Sequence, residues 1–285
     1  MKVMLELNWK KIYRTLVEQH PRILIGGLIL LVIVALAVMA PVIAPHNPTD
    51  QNLELSYQSR APGYPLGTDE FGRCIYSRLL HGARISLTVG VIAVGIGGII
   101  GSALGLVAGL WGGVVNTVIM RLMDTMLAIP GILLAIAIVG ALGPGMVNVM
   151  IAVGIATVPT YARLVRGQVV SIKEKEFVEG ARAIGTPMWL IALRHILPNV
   201  LAPVLVVTTM GMGSAILSAA GLSFLGLGAR PPTPEWGAML SRGRSFLRTA
   251  PHVATYPGLA IFITVIGFNL LGDGIRDYLD PRLNS

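Results

Sequence analysis

Long apolar stretches set the first limit on what this chain can fold into. A helix that crosses a lipid bilayer needs roughly 20 mostly apolar residues. Six stretches approach that length, and none has Asp, Glu, Lys or Arg in its core. Because a water-soluble fold of 285 residues could not bury so much apolar surface, the sequence predicts an all-α, polytopic membrane protein. The six predicted spans are Ile23–Ala44, Ile85–Leu110, Met126–Leu142, Met146–Tyr161, Val200–Ala220 and Tyr256–Leu271.

The charged residues point to lipid rather than nucleic acid as the surrounding partner. Only 13% of the residues are charged, against about 25% in ordinary soluble domains. The net charge of +8 could suggest nucleic acid, but the basic residues lie between apolar runs and are not clustered with stacking aromatic residues. Anionic headgroups explain them more simply, so membrane lipids are expected as a partner and nucleic acid is not.

The distribution of Lys and Arg predicts the orientation of the chain. If the N-terminus is cytoplasmic, 14 of the 22 basic residues lie on the inner side, which favours cytoplasmic N- and C-termini. The predicted organisation is an N-terminal segment (1–22), a first span (23–44), an outer loop (45–84), a membrane core (85–272) and a tail (273–285). The core contains a cytoplasmic loop (163–199) and a second outer loop (222–254).

The N-terminal segment alternates apolar and basic residues. Trp9, Ile12 and Leu16 are interleaved with Lys10 and Lys11, a pattern typical of an amphipathic helix on the inner membrane surface. A basic tail without regular structure is the alternative. The apolar run after Arg22 is longer than the 7–15 residues of a signal-peptide core, which predicts a retained anchor.

Glycines recur at every fourth position of the second predicted span. This spacing places them on one helix face, where they allow another helix backbone to approach closely. Glycine abundance is the competing explanation, since the chain has 34 glycines, but a run of five in register, which includes Gly113 just beyond the span, favours packing. The predicted helix-packing residues are Gly97, Gly101, Gly105 and Gly109.

The loop after the fourth span is charged and interrupted by helix-breaking residues. A first helix is predicted from Glu174 to Ile184, ending at Gly185 in the left-handed conformation. Thr186 is the expected N-cap of a second helix from Pro187 to Ile196, and Pro198 is expected to end it before the chain re-enters the membrane. The first helix carries small residues beside charged ones, a pattern that suits docking into a groove of another protein. A surface helix that only links two spans would explain the same pattern equally well.

The same loop resembles the EAA loop of ABC importer permeases, in which Glu-Ala-Ala is followed by Gly and then by Ile-x-Leu-Pro. Two positions depart from that pattern: Gly180 replaces the first Ala, and Leu197 directly follows Ile196. The resemblance implies that the loop couples the chain to ATPase subunits. The implied coupling residues are Glu179, Gly180, Ala181, Arg182, Gly185, Ile196, Leu197 and Pro198.

Further motifs extend the resemblance over nearly the whole chain. They are LGTDEFGR (66–73), SRLLHGARISL (77–87), GLSFLGLGARPPTPEWGAML (221–240) and NLLGDGIRDYLDPRL (269–283), and they look like the second permease subunit of dipeptide, oligopeptide, glutathione and nickel importers. The resemblance implies a type I ABC importer permease fold in a bacterial inner membrane. The implied partners are a second, similar permease, two ATPase subunits and an extracytoplasmic solute-binding protein.

The resemblance predicts a transport subunit without catalytic chemistry or a cofactor. No lysine follows a glycine, so the chain has no phosphate-binding loop of the Gly-x-x-x-x-Gly-Lys type, and ATP hydrolysis is expected in partner chains. Short peptides are the expected solute, with glutathione or a nickel chelate as alternatives. A self-sufficient secondary transporter or a membrane scaffold would also explain the spans, but not the interrupted loop.

Overall fold

The structure is a computed structural model that describes residues 20–279. Within that range the regular structure is helical, with two isolated β-bridges and no strand. The α-helices are α1 (Pro21–Ile43), α2 (Ile75–Trp111), α3 (Gly113–Leu127), α4 (Gly131–Leu142), α5 (Met146–Lys173), α6 (Glu176–Ala183), α7 (Met188–Ile191), α8 (Leu197–Phe224), α9 (Trp236–Gly243) and α10 (His252–Leu279).

The helices form a bundle with two distinguishable ends. One end carries the turn at Gly185 and is called the Gly185 end; the other carries Trp236 and is called the Trp236 end. Arg22 at the start of α1 forms an ion pair with Asp277 near the end of α10, with a nitrogen–oxygen distance of 3.1 Å. Arg276 and Leu279 line one cavity with Gln168 of α5 and Pro203 of α8, next to the segment that carries Gly185, so both ends of the described chain lie at the Gly185 end.

Five helical segments are long and apolar enough to cross a membrane, or six if a bent pair counts as one span. Four of the five are α1, α2, α5 and α10, and the fifth is the helical run Met188–Phe224. The bent pair is α3 and α4, which meet at an angle of 92°. The predicted all-α fold with about six spans is confirmed.

The third span differs from the single helix predicted for Met126–Leu142. The chain breaks after Leu127, and Pro130 precedes the first residue of α4. Because proline has no backbone N–H and restricts the residue before it, a bend is favoured here. Helix α3 instead packs along α5, where Arg166 Nε donates to Asn116 Oδ1 at 3.0 Å.

The second and fourth spans are longer than the sequence predicted. Helix α2 begins at Ile75, ten residues before the predicted span, so the end of the predicted outer loop (45–84) is the first part of one continuous helix. Helix α5 contains Pro159 and continues past the predicted end at Tyr161 as far as Lys173. Hydropathy underestimated both lengths because the added turns are polar yet are held by protein contacts.

A cap of loops and short helix covers the Trp236 end. Trp236 is 3% exposed, and its Nε1 donates to the carbonyl of Leu79 at 3.0 Å. The next residue, Gly237, lies so close to α8 that a Cβ there would be 2.5 Å from the Cα of Ala220. This cap therefore packs directly on the helices.

One buried arginine connects three segments of the cap. Arg78 Nη1 donates to the carbonyl oxygens of Pro48 at 2.7 Å and Pro232 at 3.2 Å, and its Nε lies 3.4 Å from Asp69 Oδ2. Asp69 also accepts from Arg73 Nε at 2.7 Å. Arg78 is 1% exposed, so these polar partners replace water.

Two predicted segments lie partly outside the described residues. The amphipathic N-terminal segment (1–22) falls there up to residue 19. The tail (273–285) is described only to Leu279, and up to that residue it continues α10.

Candidate functional site at the Gly185 turn

Helix α6 ends in a turn that requires glycine. Gly185 has a φ of +79°, a region that residues with a Cβ rarely adopt. Its N–H donates to the carbonyl of Arg182 at 2.9 Å, and the N–H of Thr186 donates to the carbonyl of Ala181 at 3.0 Å. These two bonds form a Schellman motif, which fixes the direction in which the chain leaves the helix.

The entry to the second helix differs from the prediction. Thr186 was expected to cap it, but Pro187 occupies the N-cap position, no side chain caps the helix, and α7 begins at Met188. The first helix is also shorter than predicted, spanning Glu176–Ala183.

The expected break at Pro198 is absent. The chain passes from α7 through a π-helical turn at Ala192–Ile196 directly into α8. In an α-helix the nitrogen of residue 198 would donate to the carbonyl of residue 194, a bond that proline cannot make. The wider turn places Pro198 in the first turn of α8, where the missing N–H costs little. The run Met188–Phe224 is therefore one continuous helical element.

Buried apolar side chains fasten the loop to the end of the bundle. Val178 in α6, Ile191 in α7 and Ile196 in the π turn are all 0% exposed. They pack in one cluster with Val169 and Ile172 of α5. The loop is therefore held as a packed part of the bundle.

A lysine strengthens this attachment. Lys173 Nζ donates to the carbonyls of Gly109 at 3.0 Å and Leu110 at 2.8 Å. These carbonyls lie in the last turn of α2, where helical C=O groups lack partners and a positive charge is favourable. The end of α5 and the end of α2 are thus joined just before the loop begins.

The outer face of the loop is apolar. Ile184 is 83% exposed, Trp189 65% and Leu193 55%. Phe177 and Met188 are also exposed, and the charged residues Glu179 and Arg182 accompany them on α6. We call this set the loop patch: Phe177, Ile184, Met188, Trp189 and Leu193. Exposed apolar groups on a rigid, charge-flanked element are typical of a protein–protein contact surface.

The structure divides the predicted coupling residues into two groups. Ala181 and Ile196 are buried and hold the loop, while Leu197 is half-buried. The others are exposed: Glu179, Gly180, Arg182, Gly185 and Pro198. The loop-patch residues were not among the predicted site residues, because apolar periodicity identifies an apolar face but not whether that face is covered.

The glycine face of α2 lies against α5 of the same chain. A Cβ on Gly101 would lie 2.5 Å from the carbonyl oxygen of Val158, and one on Gly109 would lie 2.7 Å from Cβ of Val169. Gly97 and Gly105 meet the same helix. The sequence pattern did not specify a partner helix, and the structure identifies it as α5.

The site has the features of a binding surface. Among residues 20–279, His, Cys, Asp and Glu form no group of three or more that could hold a metal ion. The chemistry that the loop offers is an exposed apolar surface accompanied by the carboxylates of Glu176 and Glu179 and the guanidinium groups of Arg182 and Arg194.

Two family models match this chain. Residues 101–285 match the binding-protein-dependent transport system inner membrane component, and residues 9–62 match the N-terminal TM domain of oligopeptide transport permease C.

Relatives match along almost the whole length. The chain is 46% identical to the glutathione transport system permease protein GsiD of Pectobacterium atrosepticum, covering 97% of this chain and 92% of the relative. It is 44% identical to the dipeptide transport system permease protein DppC of Alkalihalophilus pseudofirmus, covering 97% and 91%. GsiD of Escherichia coli O157:H7 is 49% identical, again covering 97% and 91%.

A solved structure shares the fold. The MetNI methionine ABC transporter in inward-facing conformations contains a chain that aligns with a TM-score of 0.57 and 17% identity, covering 71% of this chain and 96% of that one. At this level of identity the likeness concerns the fold alone.

Proposed function

Because this chain belongs to the family of binding-protein-dependent transport system inner membrane components, the permease subunits of ABC importers, we propose that it carries short peptides across the membrane. Relatives of similar identity are named for dipeptide and for glutathione transport. Glutathione is itself a tripeptide, so a short-peptide solute covers both names. Import of a nickel chelate is the alternative within the same kind of complex.

We further propose that the loop from Glu176 to Pro198 is the seat for a cytoplasmic ATPase subunit. The observation that carries this proposal is the loop patch, which places Ile184 and Trp189 in the open on an element whose inner side is fully packed. A surface helix that only linked two spans would have no reason to expose these side chains. The Gly185 end is then cytoplasmic, which agrees with the excess of basic residues in its segments.

In this proposal the chain is one half of a permease. A second, similar permease completes the translocation pathway, two ATPase subunits bind and hydrolyse ATP, and a solute-binding protein delivers the peptide at the Trp236 end. Closure of the ATPases moves the loop, and the bundle switches between discrete packings as rigid bodies. The chain itself performs no bond-breaking chemistry.

The energy source distinguishes this function from a secondary transporter. Liposomes holding the complete complex should accumulate a labelled dipeptide when ATP is enclosed on the ATPase side and the binding protein is outside. Liposomes holding only the permease chains should accumulate none, with or without an ion gradient. Uptake by the permeases alone under an ion gradient would contradict the proposal.

The loop patch can be tested by association with the ATPase. Trp189→Ala removes an exposed indole and Glu179→Lys reverses a charge, so both variants should reduce the amount of ATPase that co-purifies with the complex. Glu174→Lys is the matched control, because Glu174 is exposed but precedes α6. If both loop variants co-purify with as much ATPase as wild type does, the loop patch is not the binding site for the ATPase.

The solute can be tested by competition. Uptake of the labelled dipeptide by the complete complex should be suppressed by an excess of unlabelled dipeptides. No uptake of the labelled dipeptide, together with uptake of labelled glutathione or of a labelled nickel chelate by the same complex, would assign the corresponding alternative.

A further inference from the structure

An apolar groove opens between two membrane-spanning helices at the Trp236 end. Helices α8 and α10 are close where Gly213 faces Val265, since a Cβ on Gly213 would lie 3.5 Å from Val265 Cγ1. Towards the Trp236 end they leave a cavity of about 380 Å³. We call it the α8–α10 groove, and its lining includes Leu217, Phe224, Leu240, Gly258, Phe262 and Val265.

The lining of this groove excludes water as a stable occupant. Every residue that lines it is apolar. An enclosed water molecule needs two to four polar partners, and these side chains offer none. The volume is within the range of about 300–1,000 Å³ found for small-molecule sites, so an apolar molecule or side chain fits.

An arginine lies at one end of the groove. The guanidinium carbon of Arg244 is 4.7 Å from the centroid of the Phe224 ring, and Phe224 lines the groove. Leu240, another lining residue, lies four positions before Arg244, one helical turn away. The positions of Phe224 and Leu240 thus both indicate that the guanidinium of Arg244 lies at one end of the α8–α10 groove.

The charge of Arg244 is available to a ligand. Its neighbour Arg242 approaches Glu70 Oε1 at 3.6 Å, whereas Arg244 is exposed and has no acidic partner among residues 20–279. Phe224 ends the run Met188–Phe224, which is long and apolar enough to cross a membrane, so its ring is expected close to the headgroup region. An unpaired guanidinium at that depth is complementary to a phosphate.

We propose that the α8–α10 groove binds an acyl chain of a phospholipid whose phosphate is held by Arg244. From Phe224 to Leu217 the groove follows seven residues of α8, or about 10 Å at 1.5 Å per residue, so it takes the upper part of one acyl chain. The ring of Phe224 contacts the chain on one side and supports the guanidinium on the other.

Photo-crosslinking tests this site directly. The complete transporter is reconstituted in nanodiscs containing a phosphatidylglycerol with a photoactivatable group in the upper part of one acyl chain. After illumination, labelled peptides from residues 217–224 and 258–265 are expected. Labelling confined to other helices would overturn the proposal, as would crosslinks between this groove and the second permease.

The arginine has a matched control in the same segment. Arg244→Gln should lower labelling of the groove about fivefold, which is the factor in lipid affinity that one arginine near an anionic membrane surface contributes. Arg248→Gln should leave it unchanged, because Arg248 is also exposed but its guanidinium does not lie over the ring of Phe224, as that of Arg244 does. Equal labelling in both variants would contradict a phosphate contact at Arg244.

Filling the groove gives a second, independent measurement. A Cβ on Gly258 would lie 3.7 Å from Leu240 Cδ1, which is ordinary contact, so Gly258→Leu should fold and occupy the groove. Labelling should then fall at least as far as in Arg244→Gln. Gly27→Leu, at a glycine of α1 with nothing near its Cβ position, should keep wild-type labelling. Persistent labelling in Gly258→Leu would overturn the site.

Discussion

Glu235 is a carboxylate placed where almost no water reaches it. It is 2% exposed and accepts hydrogen bonds from the N–H groups of Gly237 and Ala238, both at 2.8 Å. It therefore caps α9, the short helix of the Trp236 end. Burial raises the pKa of this carboxyl above its ordinary value, and the two backbone bonds oppose that shift only in part.

The raised pKa of Glu235 predicts a pH dependence of stability. The folded state holds the proton of Glu235 more tightly than the unfolded state does. Protonation therefore adds to the free energy of unfolding; this addition is complete at acidic pH and is lost as pH rises through the pKa of the folded state. Glu235→Gln does not titrate. The melting temperature of Glu235→Gln minus that of wild type should therefore increase as pH is raised from about 4.5 to 7.5. Both temperatures are measured on the detergent-solubilised complex. A difference that is constant with pH would exclude this titration.

Gly185 gives a second prediction for a single residue. A residue with a Cβ in the left-handed region costs roughly 1–2 kcal/mol, and a β-branched one is a clear outlier. Gly185→Val should disturb the turn and lower the number of peptides imported per ATP hydrolysed, while the protein still inserts in the membrane. Gly185→Asn, which tolerates this conformation, should retain coupling. Wild-type coupling in Gly185→Val would show that the turn is not needed.

The sequence predicted the turn at Gly185 because a local rule determines it. The same rules failed at Thr186 and Pro198, where the continuous helix and its π turn depend on the packing of Ile191 and Ile196 beneath the loop. The sequence also could not predict that Trp189 is exposed. An apolar residue in a polar segment can lie in the core as readily as on the surface.

At the scale of elements, the contact between α2 and α5 depends on missing side chains. The glycine face lets the two backbones approach so closely that Gly101 faces the main chain of Val158 and Ala162. Backbone atoms cannot move aside as a flexible side chain can. Spacing alone predicted that a helix lies on this face, but only the folded chain shows which one.

This contact predicts a difference between two alanine substitutions in one helix. Gly101→Ala forces α2 and α5 apart and should lower the melting temperature, since overpacking costs about 1–3 kcal/mol. Gly95→Ala has nothing within 4 Å of its Cβ and should be neutral or slightly stabilising through better helix propensity. Thermal unfolding of the purified complex checks both. Equal melting temperatures would mean that the two helices separate without cost.

At the scale of the whole molecule, a single guanidinium connects distant segments of the Trp236 end. Arg78 contacts the loop after α1 through Pro48, the segment before α9 through Pro232, and Asp69. The motifs around Asp69 and Arg78 were identified from the sequence, but hydropathy gives no sign that charged residues so far apart share one buried cluster.

The cluster predicts that the cap loosens when Arg78 is removed. Removing one partner of a buried ion pair costs about 3–5 kcal/mol, because the remaining charge stays unpaired. Arg78→Gln should therefore make residues 45–74 sensitive to protease, measured by limited proteolysis of the complex in nanodiscs. Arg60→Gln, at an exposed arginine of the same segment, should leave the cleavage rate unchanged. Equal cleavage rates in Arg78→Gln and Arg60→Gln would contradict the inference that the buried cluster around Arg78 holds residues 45–74 on the bundle.

The uninterrupted helical run from Met188 to Phe224 has 37 residues and extends for roughly 55 Å. It packs against α10 at two places, where Gly213 faces Val265 and where Gly272 faces Met210. Trp189 near its beginning and Phe224 at its end therefore belong to one stiff element that is held along its length. A displacement imposed on Trp189 cannot be absorbed by a hinge in this run, so it is transmitted to the helices packed against it and to Phe224 at the opposite end.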